Sequence, residues 1–483
     1  MKKVFCILLA ILPFCIEAQN INDVYNLSAI YYQGTAKSMA MGNAMGAVGQ
    51  DLTAISINPA GLGMFRKPTF TFTPSVNTTN TSTHANGGYR AYDTKSKLSV
   101  NNIGYVGVNK SNESTFTWAF GMNRTNNFNN SILYDGYNYH NSLIDAYFAE
   151  IIDNEIYNDV ELEQYSPSYI YPLWQTYLID FGADGSLSTP VPMGEIKQYK
   201  DVNSWGGVNE WSLSTCYNIK DKFFLGLSFN MPYVNSRKAS VYEEEYYTTT
   251  TNFWYQEEIL YTSGWGYNFG IGVIAYPARW IRLGASFKTP TLYELTDTWR
   301  TETLSMIDSR YHEWITPTSY FNYSMMTPWR ANGSVAFIFG NFGMITADYE
   351  YVDYKSVRLS AYNYDYNTYN EALKETFSST MNIRLGTEWR YMNYCFRGGY
   401  AFYGSPYGIM DMDYRREALS CGIGYTKHLF TIDFAYVYTL QNHIYNLYSQ
   451  YTNYYDAVND SNLNVYENMK LHSFVVTLKM KMY

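Results

Sequence analysis

The feature that most constrains this chain is the alternation of its connectors. After about Lys67 the sequence carries fourteen strand candidates, near 68–77, 97–109, 113–124, 208–218, 222–234, 261–276 and 279–289 in the first half. The rest lie near 327–339, 342–353, 381–391, 394–403, 418–427, 429–440 and 470–482. Six connectors are tight, around Lys110-Ser111-Asn112, Lys220-Asp221, Pro277-Ala278, Gly340-Asn341, Met392-Asn393 and Lys427-His428. The seven between them are long and crowded with Tyr, Asn, Thr and acidic residues. Short turns at one end and long loops at the other characterise an up-and-down transmembrane barrel, and an even strand count fits it. A β-sandwich mixes its loop lengths. The expected fold class is therefore all-β: an antiparallel up-and-down transmembrane barrel of about 14 strands.

The strand reading rests on period-2 alternation, since successive side chains point to opposite faces. Trp265, Tyr267, Phe269, Ile271 and Val273 interleave with Gly266, Asn268, Gly270 and Gly272; Phe430, Ile432, Phe434, Tyr436 and Tyr438 interleave with Thr431, Asp433 and Ala435. In a membrane barrel the apolar face meets lipid and the polar or glycine face lines the lumen. Aromatic residues make up 18% of the chain, including 52 Tyr, and rings with a polar tip suit the lipid–water interfaces. A sugar-binding β-protein would also be aromatic-rich, but it does not account for the loop lengths.

The N-terminus reads as a signal peptide. Lys2 and Lys3 precede an apolar core from Val4 to Ile16, and cleavage is expected after Ala18. That run is too short for a spanning helix, which needs about 20 apolar residues. Lipidation at Cys15 is disfavoured by the bulky Phe14 before it. No second apolar run follows and the mean hydropathy is −0.30, which excludes a helical membrane protein. The expected organisation is a signal peptide (1–18), a plug (19–67) and the barrel (68–483) with a large extracellular insertion near 126–208. Without Lys2, Lys3 and Glu17 the net charge of −9 becomes −10, which argues against nucleic acid as a partner. Cys216, Cys395 and Cys421 form no CxxC, and two of them sit in strand patterns and read as small apolar residues; no metal site and no cofactor is indicated.

The insertion is too long to be structureless. Leu143, Ile144, Tyr147, Phe148, Ile151 and Ile152 recur at helical spacing and give one apolar face. Such a helix either packs on its own loop or offers a groove where a hydrophobic ligand lands. The Glu243-Glu244-Glu245 run reads as a solvated loop face. The six histidines are scattered, and no GxSxG, HExxH or phosphate-binding loop occurs, so no enzymatic role is expected.

The plug region is rich in Gly, Ala and Met from Gly34 to Asp51 and continues through Ala54-Ile55-Ser56-Ile57-Asn58-Pro59-Ala60-Gly61-Leu62. It resembles the N-terminal hatch of the FadL family, outer-membrane channels for long-chain fatty acids and aromatic hydrocarbons. The family's Asn-Pro-Ala motif is matched by Asn58, Pro59 and Ala60, followed by Gly61, just ahead of the first strand. Gly284-Ala285-Ser286-Phe287-Lys288-Thr289-Pro290 is similar to a strand-end segment of the same family. The resemblance implies a small helical hatch in the lumen of a fourteen-stranded barrel, with passive uptake of a hydrophobic small molecule and sideways exit through the wall at a kinked strand. Gly121 in the third strand is the position expected for that kink. Expected partners are outer-membrane lipid and lipopolysaccharide, the hydrophobic ligand, and the barrel-assembly machinery during biogenesis. The expected form is a monomer in the bacterial outer membrane with both termini periplasmic. The alternative is a FadL-like barrel serving as a binding or shuttle subunit of an outer-membrane secretion machine, which calls for a sealed wall. One feature departs from the pattern: Tyr483 lies on the face of Lys479 and Lys481, one residue out of phase with Phe474, Val476, Leu478, Met480 and Met482.

Overall fold

The computed structural model describes residues 21–482 except 86–89, 112–113, 140, 167, 193, 247–250, 409–413 and 449–463. The expected signal peptide and Tyr483 lie outside the described residues. Among the described residues fourteen antiparallel strands close a barrel. The first six are β1 (Thr69–Ala85), β2 (Ala91–Lys110), β3 (Ser114–Asn127), β4 (Ile196–Ile219), β5 (Phe223–Tyr246) and β6 (Thr251–Ala278). Strand β7 (Ile281–Lys288) continues after a break as Leu292–Ile307, and β8 (Arg330–Phe339) is approached through Ser319–Met326. Then follow β9 (Gly343–Asp353), β10 (Ser379–Tyr391), β11 (Tyr394–Tyr403), β12 (Arg416–Lys427), β13 (Phe430–Asn446) and β14 (Asn464–Lys481). Pairing of β1 with β14, from Thr69↔Lys481 to Ala85↔Val465, closes the ring.

Alternation becomes inside and outside. On β6, Trp265, Tyr267 and Phe269 are each about half exposed, whereas Asn268 between them is 1% exposed. Phe116, Trp118 and Phe120 on β3, Leu225 and Leu227 on β5, and Phe474 and Leu478 on β14 continue the same outward apolar belt. Burying such a belt in water would be costly, and lipid is the solvent it suits, so this is a membrane-spanning barrel. No helix among the described residues is long and apolar enough to cross a membrane.

The tight turns have the backbone that a right-twisted hairpin demands. Lys220 and Asp221 both take positive φ (51° and 55°), as the two central positions of a type I′ turn require. Met392 and His428 open theirs likewise, and Gly340 does so without a Cβ penalty. One turn is displaced: Pro277 and Ala278 still belong to β6, and the chain reverses at Arg279-Trp280.

Several strands far outrun the membrane. Strands β4 and β5 have 24 residues each and β6 has 28, against the roughly 9–11 that cross a bilayer. The expected insertion therefore shrinks. Asn130–Asn138 pairs with β4 from Asn130↔Ser204 to Asn138↔Ile196, leaving 139–195 as the true excursion. Beyond the belt the strands are polar on both faces, as in Lys197, Tyr199 and Asp201 on one side of β4 and Gln198 and Lys200 on the other, so apolar alternation cannot reveal them.

The lumen holds the hatch: α1 (Ile21–Ser28), α2 (Ala36–Ala40), α3 (Ala54–Ile57) and a 3₁₀ turn over Pro59–Met64. From Tyr32 to Phe65 every residue except Gln50 is buried. Cys216 is also buried, its thiol donating to the Ala60 carbonyl at 3.3 Å.

Candidate functional site

The Asn58-Pro59-Ala60-Gly61 segment is where the hatch docks on the wall. The Asn58 side-chain carbonyl accepts from the Ala60 N–H (3.1 Å), capping the 3₁₀ turn that Pro59 opens. Its amide group donates to the Gly46 carbonyl at 2.7 Å and reaches the wall carbonyls of Val273 (3.2 Å) and Ala285 (3.4 Å). Asparagine is suited to this position because it offers an acceptor and two donors on one short side chain. Wall glycines admit the turn: a Cβ at Gly226 or Gly272 would collide with Pro59, Ala60 or Asn58.

On the opposite side, Asp51 carries the ionic attachment. Fully buried, it accepts from the Thr35 hydroxyl (2.7 Å) and the Thr53 N–H (3.0 Å), and it meets Lys479 of β14 at 2.8 Å. Burial alone would raise this carboxyl; Lys479 and Lys37 reverse that effect and hold it at about 2. Lys479 also faces Asp433, which pairs with Arg397, which in turn bonds Glu388 at 2.7 Å. Lys479, one of the two lysines in phase with Tyr483 in the sequence, thus points inward and ties down the hatch. Above it, α1 packs with wall residues in an apolar, tyrosine-rich cluster where Tyr25 and Leu27 lie with Val234, Tyr293, Tyr323 and Met325.

The wall is interrupted between β2 and β3. Their ladder runs from Lys110↔Thr115 to Asn102↔Asn123 and stops. Beyond Asn102, β2 continues with β1 as far as Ala91, while β3 keeps β4. Two local defects accompany the break. Register shifts between Thr73 and Pro74, where Asn101 of β2 bulges and Pro74 offers no N–H. On the other side β3 shifts register between Arg124 and Asn126, opposite Asn209 and Val208 and next to Gly206 and Gly207, whose φ values of +107° and +158° suit glycine. After this bend the Asn130–Asn138 segment passes over the inner face of β1. There the hydroxyls of Thr79, Thr81 and Thr83 donate to the carbonyls of Asn129, Ser131 and Leu133.

Gly121 is not where the wall opens. It is laddered on both sides, to Gly104 and to Ser212. The Gly104–Gly121 pair instead leaves room for the hatch residue Leu52, whose side chain a Cβ at Gly121 would meet at 3.4 Å. The ladder ends two residues later, at Asn123, and the interior strand residues Pro74 and Gly206-Gly207 are the signal of that break in the sequence.

The helix expected near Leu143 is α4 (Leu143–Asp153), begun by a Ser142 capping box. Leu143, Ile144, Tyr147 and Ile151 are wholly buried in a cluster with strand ends such as Tyr242 and Trp254, with Phe148 packed at its edge. Ile152 points away and is 63% exposed. The face is consumed in packing rather than lining an open groove. It is joined in the cluster by α5 (Asp159–Tyr165) and α6 (Tyr171–Gln175) through Leu162 and Leu173. The anchor is Glu244, which corrects the solvated reading of its acidic run. Its carboxylate is buried and accepts from Ser142 Oγ (2.6 Å), Leu143 N–H (2.9 Å), Tyr242 OH (2.6 Å), Trp254 Nε1 (3.0 Å) and Tyr246 OH. Strand alternation explains it: Glu243 and Glu245 point outward, where Glu245 pairs with Lys197.

No family model and no curated protein sequence matches this chain. Solved structures do. The crystal structure of a Pseudomonas aeruginosa FadL homologue superposes with a TM-score of 0.55 at 11% identity, covering 94% of this chain and 99% of that one. The Pseudomonas putida toluene transporter TodX gives 0.53 at 12% identity, with 93% and 98% covered. The CymD monoaromatic hydrocarbon channel gives 0.50 at 11% identity, with 95% and 99% covered. The likeness shows a shared fold, the FadL-type barrel.

Proposed function

We propose that this chain is an outer-membrane channel for passive uptake of hydrophobic small molecules, long-chain fatty acids or aromatic hydrocarbons. The observation that carries the reading is the break in the β2–β3 ladder beside a docked hatch, in an otherwise closed barrel of FadL-type fold. The ligand enters at the long-loop end, passes the tyrosine-rich cluster above the hatch by displacing its side chains, and leaves sideways into the bilayer. Sideways exit is the favourable route for a lipophile, since each CH₂ kept out of water is worth about 0.8 kcal/mol. The solved channels of this fold named for toluene and monoaromatic hydrocarbons support the ligand class. In this reading both termini face the periplasm and the long strand ends stand among lipopolysaccharide, and the protein works as a monomer. A secretion-machine subunit would call for a continuous wall, and the interrupted ladder favours transport.

The test is uptake of radiolabelled oleate and toluene by cells that lack their own channel for each. Expression of this chain should raise initial uptake of at least one at limiting concentration. Equal rates with and without the protein, at verified outer-membrane levels, would sink the proposal.

A further inference from the structure

The slit between β2 and β3 is not empty. Continuing the register past Asn102↔Asn123 would set Arg124 opposite Asn101 and Thr125 opposite Val100. That edge of β3 is instead taken by the hatch. The Gln33 N–H donates to the Arg124 carbonyl at 2.9 Å and the Tyr31 N–H to the Thr125 carbonyl at 2.7 Å, with Gln33 and Arg124 forming an antiparallel bridge. A few residues higher, β2 reaches across with side chains. The Lys95 ammonium donates to the carbonyls of Ser204 (2.8 Å) and Asn130 (3.3 Å) and to Asn203 Oδ1 (3.3 Å), and it lies 3.9 Å from the centroid of the Trp205 ring. Asp93 accepts from the Ser131 hydroxyl at 2.5 Å.

The height of these contacts matters. Leu98 and Val100 are exposed apolar residues on the outward face of β2, whereas the outward face of β1 turns polar at Thr78 and Asn80. The hatch bridge therefore closes the slit within the apolar belt, and Lys95 closes it at the belt's outer rim.

We propose that the slit is a gate with two catches, and that hatch residues Tyr31–Gln33 serve as the missing length of wall strand. Peeling this segment from β3 exposes the side opening and, through Tyr31, loosens the tyrosine-rich cluster above the hatch in one movement. Lys95 is the outer catch. Its hydrogen bonds all go to neutral acceptors, so it can release without stranding a buried carboxylate. This inference rests on the transport reading, because a gate has meaning only if something passes.

A double variant, Gln33→Cys with Arg124→Cys, places thiols on directly facing bridge residues, whose Cα separation of about 4.5–5.5 Å suits a disulfide. Oleate and toluene uptake is measured on the oxidised and the reduced protein, with cross-linking quantified by mass spectrometry. The expected result is uptake lost on oxidation and recovered with reductant. Equal uptake in both states overturns the gate, as does failure of the pair to cross-link in the folded barrel. Separately, Lys95→Met should speed uptake about fivefold, the shift expected from losing roughly one net hydrogen bond; an unchanged or slower rate removes Lys95 from the gate. Absence of uptake by the unmodified chain is the distinct outcome that defeats the channel reading itself.

Discussion

The carboxylate of Asp51 in the hatch and the ammonium of Lys479 in the last wall strand meet at 2.8 Å, 428 residues apart in sequence. The pair joins the two ends of the chain inside the lumen, and removing either partner should act unequally. Asp51→Asn keeps an acceptor for Thr35 and Thr53 and leaves Lys479 facing Asp433 at 3.5 Å. Lys479→Met strands a buried carboxylate, a loss of about 3–5 kcal/mol of hatch docking. The lysine variant should therefore show the larger leak current in planar bilayers. The pH dependence has a definite sign. A carboxyl held at about 2 when docked and near its ordinary value when free contributes docking energy above about pH 4, lost as pH falls toward 2. Leak should stay flat from neutrality to about pH 4 and rise below it; a leak already rising at pH 6 contradicts the assignment.

Asn58 holds the rear of the hatch through both ends of its amide. Asn58→Asp keeps the acceptor for Ala60 but sets a second oxygen against the Gly46, Val273 and Ala285 carbonyls. It should loosen the hatch more than Asn58→Ala, which costs about 1–3 kcal/mol through unpaired buried groups. Hydrogen exchange of hatch amides 46–62 reads this directly, and barrel amides should stay protected in both variants.

Glu244 is the nail of the loop-end cap. Glu244→Ala leaves Ser142, Leu143, Tyr242, Tyr246 and Trp254 without their shared acceptor. Each deserted buried donor costs about 1–3 kcal/mol where water cannot reach it. Limited proteolysis should then cut within 139–195 while the barrel remains intact. Protection equal to that of the unmodified protein would show that apolar packing alone holds α4.

Gly206 bends β4 at a φ of +107°, where any side chain is strained. Gly206→Ala should destabilise the barrel by about 1–3 kcal/mol. Urea unfolding from detergent should show the shift. The same change at Gly333, whose Cβ would meet nothing within 4 Å, should be close to neutral.

The parts of this molecule legible in the sequence are those where the bilayer acts on every residue. Trp265, Tyr267 and Phe269 must face lipid and Asn268 must not, so their alternation announces the strand. The hatch was legible through Asn58 and Pro59, a short motif with local geometry. What was missed lies where that solvent pressure ends. Strand extensions such as Lys197–Asp201 carry no apolar alternation, and Glu244 sits within an acidic run whose buried member only the sheet's parity identifies. The wall break was misplaced at Gly121 because a lone strand glycine marks either a bend or a close approach. Here it is a close approach, to Leu52, and the bend belongs to Gly206-Gly207.

The threonine contacts of β1 have one more consequence, concerning self-association. Strand β1 is laddered to β2 and β14 up to its loop-end tip, so Thr79, Thr81 and Thr83 fasten the 129–133 stretch by hydroxyls alone. When that fastening releases, the hydroxyls rotate to water and no bare row of β1 amides appears. The rim can flex without offering a neighbouring molecule a β1 template on which to add a strand, a hazard that any opened sheet edge carries in a crowded membrane.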